Sequence, residues 1–131
     1  MGDPSYAFSK QLDGVTVEEA LDKVSEALKA NGFGVLTKID VKQTLKNKLD
    51  VDFRPYVILG ACNPKLAHKA LQGESLIGLL LPCNVVVQES EGGALVSFAD
   101  PKAMFELVPD APIEQVATEA RRLLQAARDL L

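Results

Sequence analysis

Two short phrases hold the residues most able to do chemistry, Gly60-Ala61-Cys62-Asn63-Pro64 and Leu81-Pro82-Cys83-Asn84-Val85. Between them they contain both cysteines of the chain, each followed by an asparagine whose amide can donate and accept. The first phrase lies where an apolar strand feeds a helix, and the second lies where the next strand begins. If those strands are antiparallel neighbours, the end of one lies beside the start of the other and the two thiols approach. Three chemistries then compete. Free cysteines are among the most buried residue types, so the plainest reading makes Cys62 and Cys83 small core hydrophobes. A soft-metal site would use both thiolates with His68 for Cu(I) or Zn²⁺, the asparagines orienting the sulfurs from outside. It lacks the close CxxC or HxxxH spacing of specific metal sites, and Zn²⁺ would need a fourth ligand. A thiol redox pair would make Cys62 the nucleophile, favoured by the helix N-terminus and Lys65, and Cys83 the resolving sulfur.

Independently of sulfur, the helix start at Asn63 offers backbone N–H groups to an anion, with Lys65 beside them. That gives Asn63, Asn84 and Lys65 as ligand-binding candidates. His68, the single histidine, falls at the border of its helix's apolar face, where a surface role is the commoner fate. Other constellations are missing. Gly60 and the Gly92-Gly93 pair match neither GxGxxG nor the P-loop pattern, and no GxSxG elbow occurs. No residue is assigned a catalytic role. Lys38, Lys42, Lys46 and Lys48 gather positive charge, but Asp40, Asp50 and Asp52 interleave with them, as on a solvated helix face. Glu89, Glu91 and Asp100 flank a hairpin turn and read as solubilising.

Composition narrows the class. At 131 residues the chain is one domain in size. Fourteen basic against eighteen acidic residues leave a net charge of −4, which argues against a general nucleic-acid binder. Seven aromatics (five Phe, two Tyr) and no Trp leave little for base stacking. The longest apolar run, around Leu76–Leu81, is broken by Gly78 and stopped by Pro82, far short of the ~20 residues of a membrane span. A domain of this size can build its core without a disulfide, and MGDPSYAF lacks a charged stretch followed by an apolar one. The expectation is a cytoplasmic protein with reduced thiols, or a periplasmic one if a leader has been removed.

The elements that must position these residues follow from periodicity. Residues 5–12 alternate as a half-exposed strand, with Tyr6, Phe8 and Leu12 on one side. Thr16 with Glu19 forms a capping box for a helix whose Val17, Ala20, Leu21, Val24 and Leu28 face inward, stopped at Asn31-Gly32. A strand over 33–39 leads to Asp40, the cap of a short helix carrying Val41, Leu45 and Leu49. Residues 54–62 hold Tyr56-Val57-Ile58-Leu59, apolar at every position. Such a run suggests a strand covered on both faces, or one set against a second subunit. Asn63 and Pro64 suit the cap and first position of a helix with Leu66, Ala67, Ala70 and Leu71 inward, ending near Gly73. Strands over 83–89 and 94–99 flank a turn at Glu91-Gly92-Gly93. The last helix, 111–131, carries an apolar stripe from Ile113 to Leu131, started by Asp110 and Pro112. The order is βαβαβαββα, an α+β domain with one mixed or antiparallel sheet in two layers.

A strand ending in Gly-x-x-Asn-Pro, a helix with Leu66 and Ala70, and Ile77-Gly78-Leu79-Leu80-Leu81-Pro82 entering Val85-Val86-Val87 resemble the DUF302 family of small bacterial and archaeal proteins. Phe33-Gly34-Val35 before Val41–Lys48, and the region of Phe105, fit as well. The resemblance runs over roughly 32–108, within a single domain spanning 1–131. It implies a compact two-layer α+β fold, paired as a homodimer, and no agreed activity. Many relatives have other residues at Cys62 and Cys83, which makes the pair a specialisation at most. A homodimer has its own warrant here: Tyr56–Leu59 and the C-terminal stripe together exceed what one small sheet obviously covers. The function expected is binding of a small ligand or soft metal at the Cys62/Cys83 junction. The alternatives are a thiol-disulfide enzyme or sensor, and a structural dimerisation or interaction module.

Overall fold

Local signals start most elements where the sequence places them. Thr16 accepts a hydrogen bond from the Glu19 amide while the Glu19 carboxylate accepts from the Thr16 amide, so helix α1 (Val17–Ala30) opens on a reciprocal capping box. Asp40 caps α2 (Val41–Leu49) through the Gln43 amide, 2.9 Å away. Asn63 caps α3 (Pro64–Gly73) through the Leu66 amide, with Pro64 at the first position. The computed structural model describes residues 2–108 and 111–131, so the expected start of the last helix at Asp110 lies outside the described residues.

Five strands, β1 (Ala7–Asp13), β2 (Gly34–Asp40), β3 (Tyr56–Cys62), β4 (Cys83–Ser90) and β5 (Gly93–Ala99), form one antiparallel sheet in the order β1-β5-β4-β3-β2. The β4–β5 turn needs positive φ at Glu91 and Gly92. Gly93 is required for a different reason: a Cβ there would collide with the Leu12 carbonyl of the adjacent β1. Beyond the expected elements lie a single turn of helix, α4 (Pro101–Met104), and 3₁₀ segments at Ser75–Leu80 and Phe105–Leu107. The final helix, α5 (Ala111–Asp129), closes the chain.

Alternation along each strand sorts the side chains. Phe8, Val57, Leu59, Ala61, Val85, Val87, Ala94, Val96 and Phe98 turn to one face, where α1 and α5 bury them with Val24, Leu28, Leu124 and Ala127. The Phe8 and Phe98 rings stack at 5.5 Å. A second cluster joins Ala70, Ile77 and Phe105 to Ile113, Val116 and Ala117.

This packing corrects three expectations. Tyr56-Val57-Ile58-Leu59 is not covered on both faces: Val57 and Leu59 are core, while Tyr56 and Ile58 sit half-buried on the other side. The α5 stripe packs within its own protomer through Ile113, Val116, Ala117, Ala120, Leu124 and Ala127. Asp100 is not a solubilising turn residue. It is only 8% exposed, caps α4 through the Lys102 amide, and pairs with the Arg121 Nε at 3.0 Å, tying the end of β5 to α5.

Candidate functional site

The expected neighbourhood of the two cysteine phrases exists. In the β3–β4 ladder Ala61 stands opposite Cys83 and Gly60 opposite Asn84, so Cys62 lies one position further along its strand. Both thiols are free and half-buried. With Asn63, Leu66, Pro82 and Phe105 they line one apolar crevice between the sheet end, α3 and α5. Its volume of about 30 Å³ is water-sized, against the ~300 Å³ at which small-molecule sites begin.

The remaining candidates do not join them. Lys65 and His68 are exposed on α3, and Asn84 is exposed on β4 opposite Gly60, on the sheet face away from the core. Cys62, Cys83 and His68 therefore make no three-ligand metal set, and no group of three or more His, Cys, Asp or Glu suited to a metal occurs among the described residues. The helix-start anion site is also depleted of donors. Pro64 has no N–H, and Asn63 itself takes the Leu66 N–H, leaving Lys65 as the free amide of the first turn.

Electrostatics at the thiols runs opposite to a reactive pair. Burial raises the Cys62 thiol above its ordinary range, and burial together with the nearby Cys62 pushes Cys83 up to about 11. Apolar surroundings penalise the thiolate, and the thiolate is both the nucleophile and the metal ligand. The expected help from the helix start and Lys65 does not outweigh that penalty: Lys65 is exposed, while both cysteines line an apolar crevice with Phe105 and Leu66.

A larger cleft of about 830 Å³ opens at the far end of the sheet, between the start of α1, the β4–β5 turn and the start of α2. Lys38 and Lys42 line it together with Glu18, Asp40, Glu89 and Glu91, so it presents no field of one sign to a ligand.

The surface most unlike an ordinary one is the sheet face away from α1 and α5. Register sets its side chains in three rows across the strands: Gln11, Leu95, Gln88 and Tyr56; then Ser9, Ser97, Val86, Ile58 and Ile39; then Ala7, Ala99, Asn84, Gly60 and Thr37. None of these side chains carries a charge at neutral pH. Of the charged strand residues, Lys10, Lys38, Asp40 and Glu89 alternate to the other face, and Asp13, at the end of β1 beyond the three rows, is the one on the open side. Solvated sheet faces are normally polar and charged, whereas loss of charge is the compositional mark of an interface centre. At one border Arg54 lies 4.6 Å over the Phe53 ring and 5.6 Å over Tyr56, and it hydrogen-bonds Gln88. Sequence reasoning missed this surface, since no single strand displays it.

Gly60 sits in its third row for a packing reason. A Cβ there would run into the Thr37 hydroxyl and come within 2.8 Å of the Pro82 ring.

Among the described residues no helix is long and apolar enough to cross a membrane. No curated protein matches the chain. Among solved structures it resembles the crystal structure of an uncharacterized conserved DUF302 protein from Bacillus stearothermophilus, with 29% identity and a TM-score of 0.88 over 97% of this chain and 98% of that one. The family model described as "Domain of unknown function DUF302" matches residues 8–131, from the first strand through the C-terminal helix. With nearly the whole chain matched, the protein belongs to the DUF302 family.

Proposed function

We propose that this protein is a self-associating interaction domain, a homodimer whose working surface is the uncovered face of its sheet. One observation carries the reading: three rows of side chains across five strands contain no charge, on a chain with 24% charged residues. A second copy suits that face because an uncharged surface meets itself without repulsion, whereas a charged partner would call for an opposing charge. Tyr56 and Arg54 at its border are the residue types that dominate interface energies.

The soft-metal and thiol-redox readings of Cys62 and Cys83 have less support, because both thiols are held in the protonated form and the crevice beside them is water-sized. Ligand binding by Asn63, Asn84 and Lys65 is likewise weaker, since the three do not line one cavity. Sedimentation equilibrium tests the proposal. The wild-type chain is expected to be a dimer at micromolar concentration and Ile58→Lys a folded monomer, with Cys62→Ala/Cys83→Ala as dimeric as wild type. A wild-type monomer throughout the accessible concentration range overturns it.

A further inference from the structure

The segment 34–55 leaves the body of the protomer in an unusual state. Every residue of β2 is exposed, Leu36 by 67% and Ile39 by 49%. The α2 helix buries no residue fully: of Val41, Leu45 and Leu49, which recur at a spacing of four, the first two are half-buried against their own protomer and Leu49 is 65% exposed. A nine-residue helix has too few turns to be stable by itself in water. Its caps are good, with Asp40 at the start, a left-handed Asp50 at the end and Lys46 bound to Asp50 at 3.0 Å. Caps of this kind contribute about 1 kcal/mol each and do not replace a packed face.

We infer that the β2–α2 arm, joined to its own protomer through β3, also packs on the second copy, so that the apolar side chains the arm leaves exposed complete the interface begun by the open sheet face. The inference rests on the self-association reading above and adds where the rest of the contact comes from. Area gives the first argument. The footprint of a five-stranded sheet of this length is roughly 500 Å², below the ~800 Å² that each partner of a standard stable interface buries. The arm is continuous with the face, because β2 and β3, which carry it, also supply Ile39 and Ile58 to the central row. Charge gives the second argument. The arm holds Lys38, Lys42, Lys46, Lys48 and Arg54 against Asp40, Asp50 and Asp52, a positive excess on a chain of net charge −4. A basic arm crossing to an otherwise acidic second copy is electrostatically matched, and a two-fold axis makes the match twice.

The test measures amide hydrogen exchange of residues 42–49 in the wild-type chain across a dilution series, beside sedimentation of Leu36→Glu/Leu49→Glu, both exposed in the protomer. Protection of these amides is expected to rise with protein concentration, and the double variant should dissociate at least about tenfold more readily while keeping the thermal melt of the protomer. If the wild type dimerises while α2 exchange ignores concentration, and the double variant dimerises as well as wild type, the arm has no such role and the sheet-face reading stands. If the wild type never dimerises, that reading fails and the arm inference fails with it. Should the double variant not fold, Leu36 and Leu49 are packed within their own protomer and the inference is overturned; exchange that ignores concentration in the wild type would show the same without any substitution.

Discussion

Val85 and Val86 are consecutive residues of one strand, with the same side chain, and their surroundings could hardly differ more. Val85 lies opposite Leu59 and Phe98 beneath the helices, with no accessible surface. Val86 lies opposite Ile58 and Ser97 on the face that α1 and α5 leave open, and it is half-buried. Both faces are apolar at their centres, yet only one has a cover within the protomer. The difference separates two reasons for a hydrophobic residue. Val85 is apolar because the fold needs it, whereas the fold alone gives no reason for Val86 to be apolar, or for its row to lack charge.

Substituting the two positions alike is the sharpest way to break that comparison, and it has the largest expected effect. Val85→Asp places an unpaired carboxylate in the core and should abolish folding or cost several kcal/mol. Val86→Asp should leave the melt of the diluted protomer within about 1 kcal/mol of wild type and abolish self-association. Circular dichroism melts at low concentration and sedimentation at high concentration read the two effects separately. Equal thermal penalties at both positions would mean that the open face is part of the protomer's own core.

Much of this arrangement is written locally. The capping box at Thr16 and Glu19, the Asp40 and Asn63 caps and the α5 stripe each involve residues within a few positions of one another, so spacing reveals them. The neighbourhood of Cys62 and Cys83 follows from one adjacency, β3 beside β4, and that too is legible. What the sequence hides depends on more than one strand. A run such as Tyr56-Val57-Ile58-Leu59 looks continuous because both of its faces are apolar, and nothing in it says which face receives helices. The uncharged rows exist only after the registers of all five strands are set. Asp100 looks like a turn residue until Arg121, twenty-one positions later, is brought to it. The thiols look activated by the helix start because burial by α3 and α5 is not visible in the phrases that contain them.

The buried side of the comparison has a pH signature. The Cys83 thiol titrates at about 11 in the folded chain, above the ~8.5 of an exposed cysteine. The folded state therefore keeps its proton where the unfolded state has lost it. The stabilisation is fully present below pH ~8.5 and is lost as pH rises through about 11. On the order of 3 kcal/mol of stability should disappear over that window. Denaturant unfolding of wild type and Cys83→Ala measures it, with the variant expected to start lower, from the lost packing, and to fall less steeply with pH. Parallel slopes would place Cys83 in contact with water and reopen the junction as a seat of thiol chemistry.

The smallest effect separates body from arm through two caps of the same kind. Asn63 caps α3, whose Ala70 is buried and whose Leu66 packs on both core clusters, so Asn63→Ala should lower global stability by about 1 kcal/mol. Asp40 caps α2, which buries no residue fully, so in the dilute protomer Asp40→Ala should fray that helix with little effect on the global melt. Fraying would appear as faster exchange at residues 43–49, the first of them being the Gln43 amide that loses its acceptor. At high concentration the two variants should converge, because a helix docked on a second copy gains tertiary support and its cap then counts toward the stability of the pair. A dependence on concentration for Asp40→Ala and none for Asn63→Ala would therefore locate part of the arm's packing outside its own protomer, whereas a global loss of stability in both at every concentration would return α2 to the body of the fold.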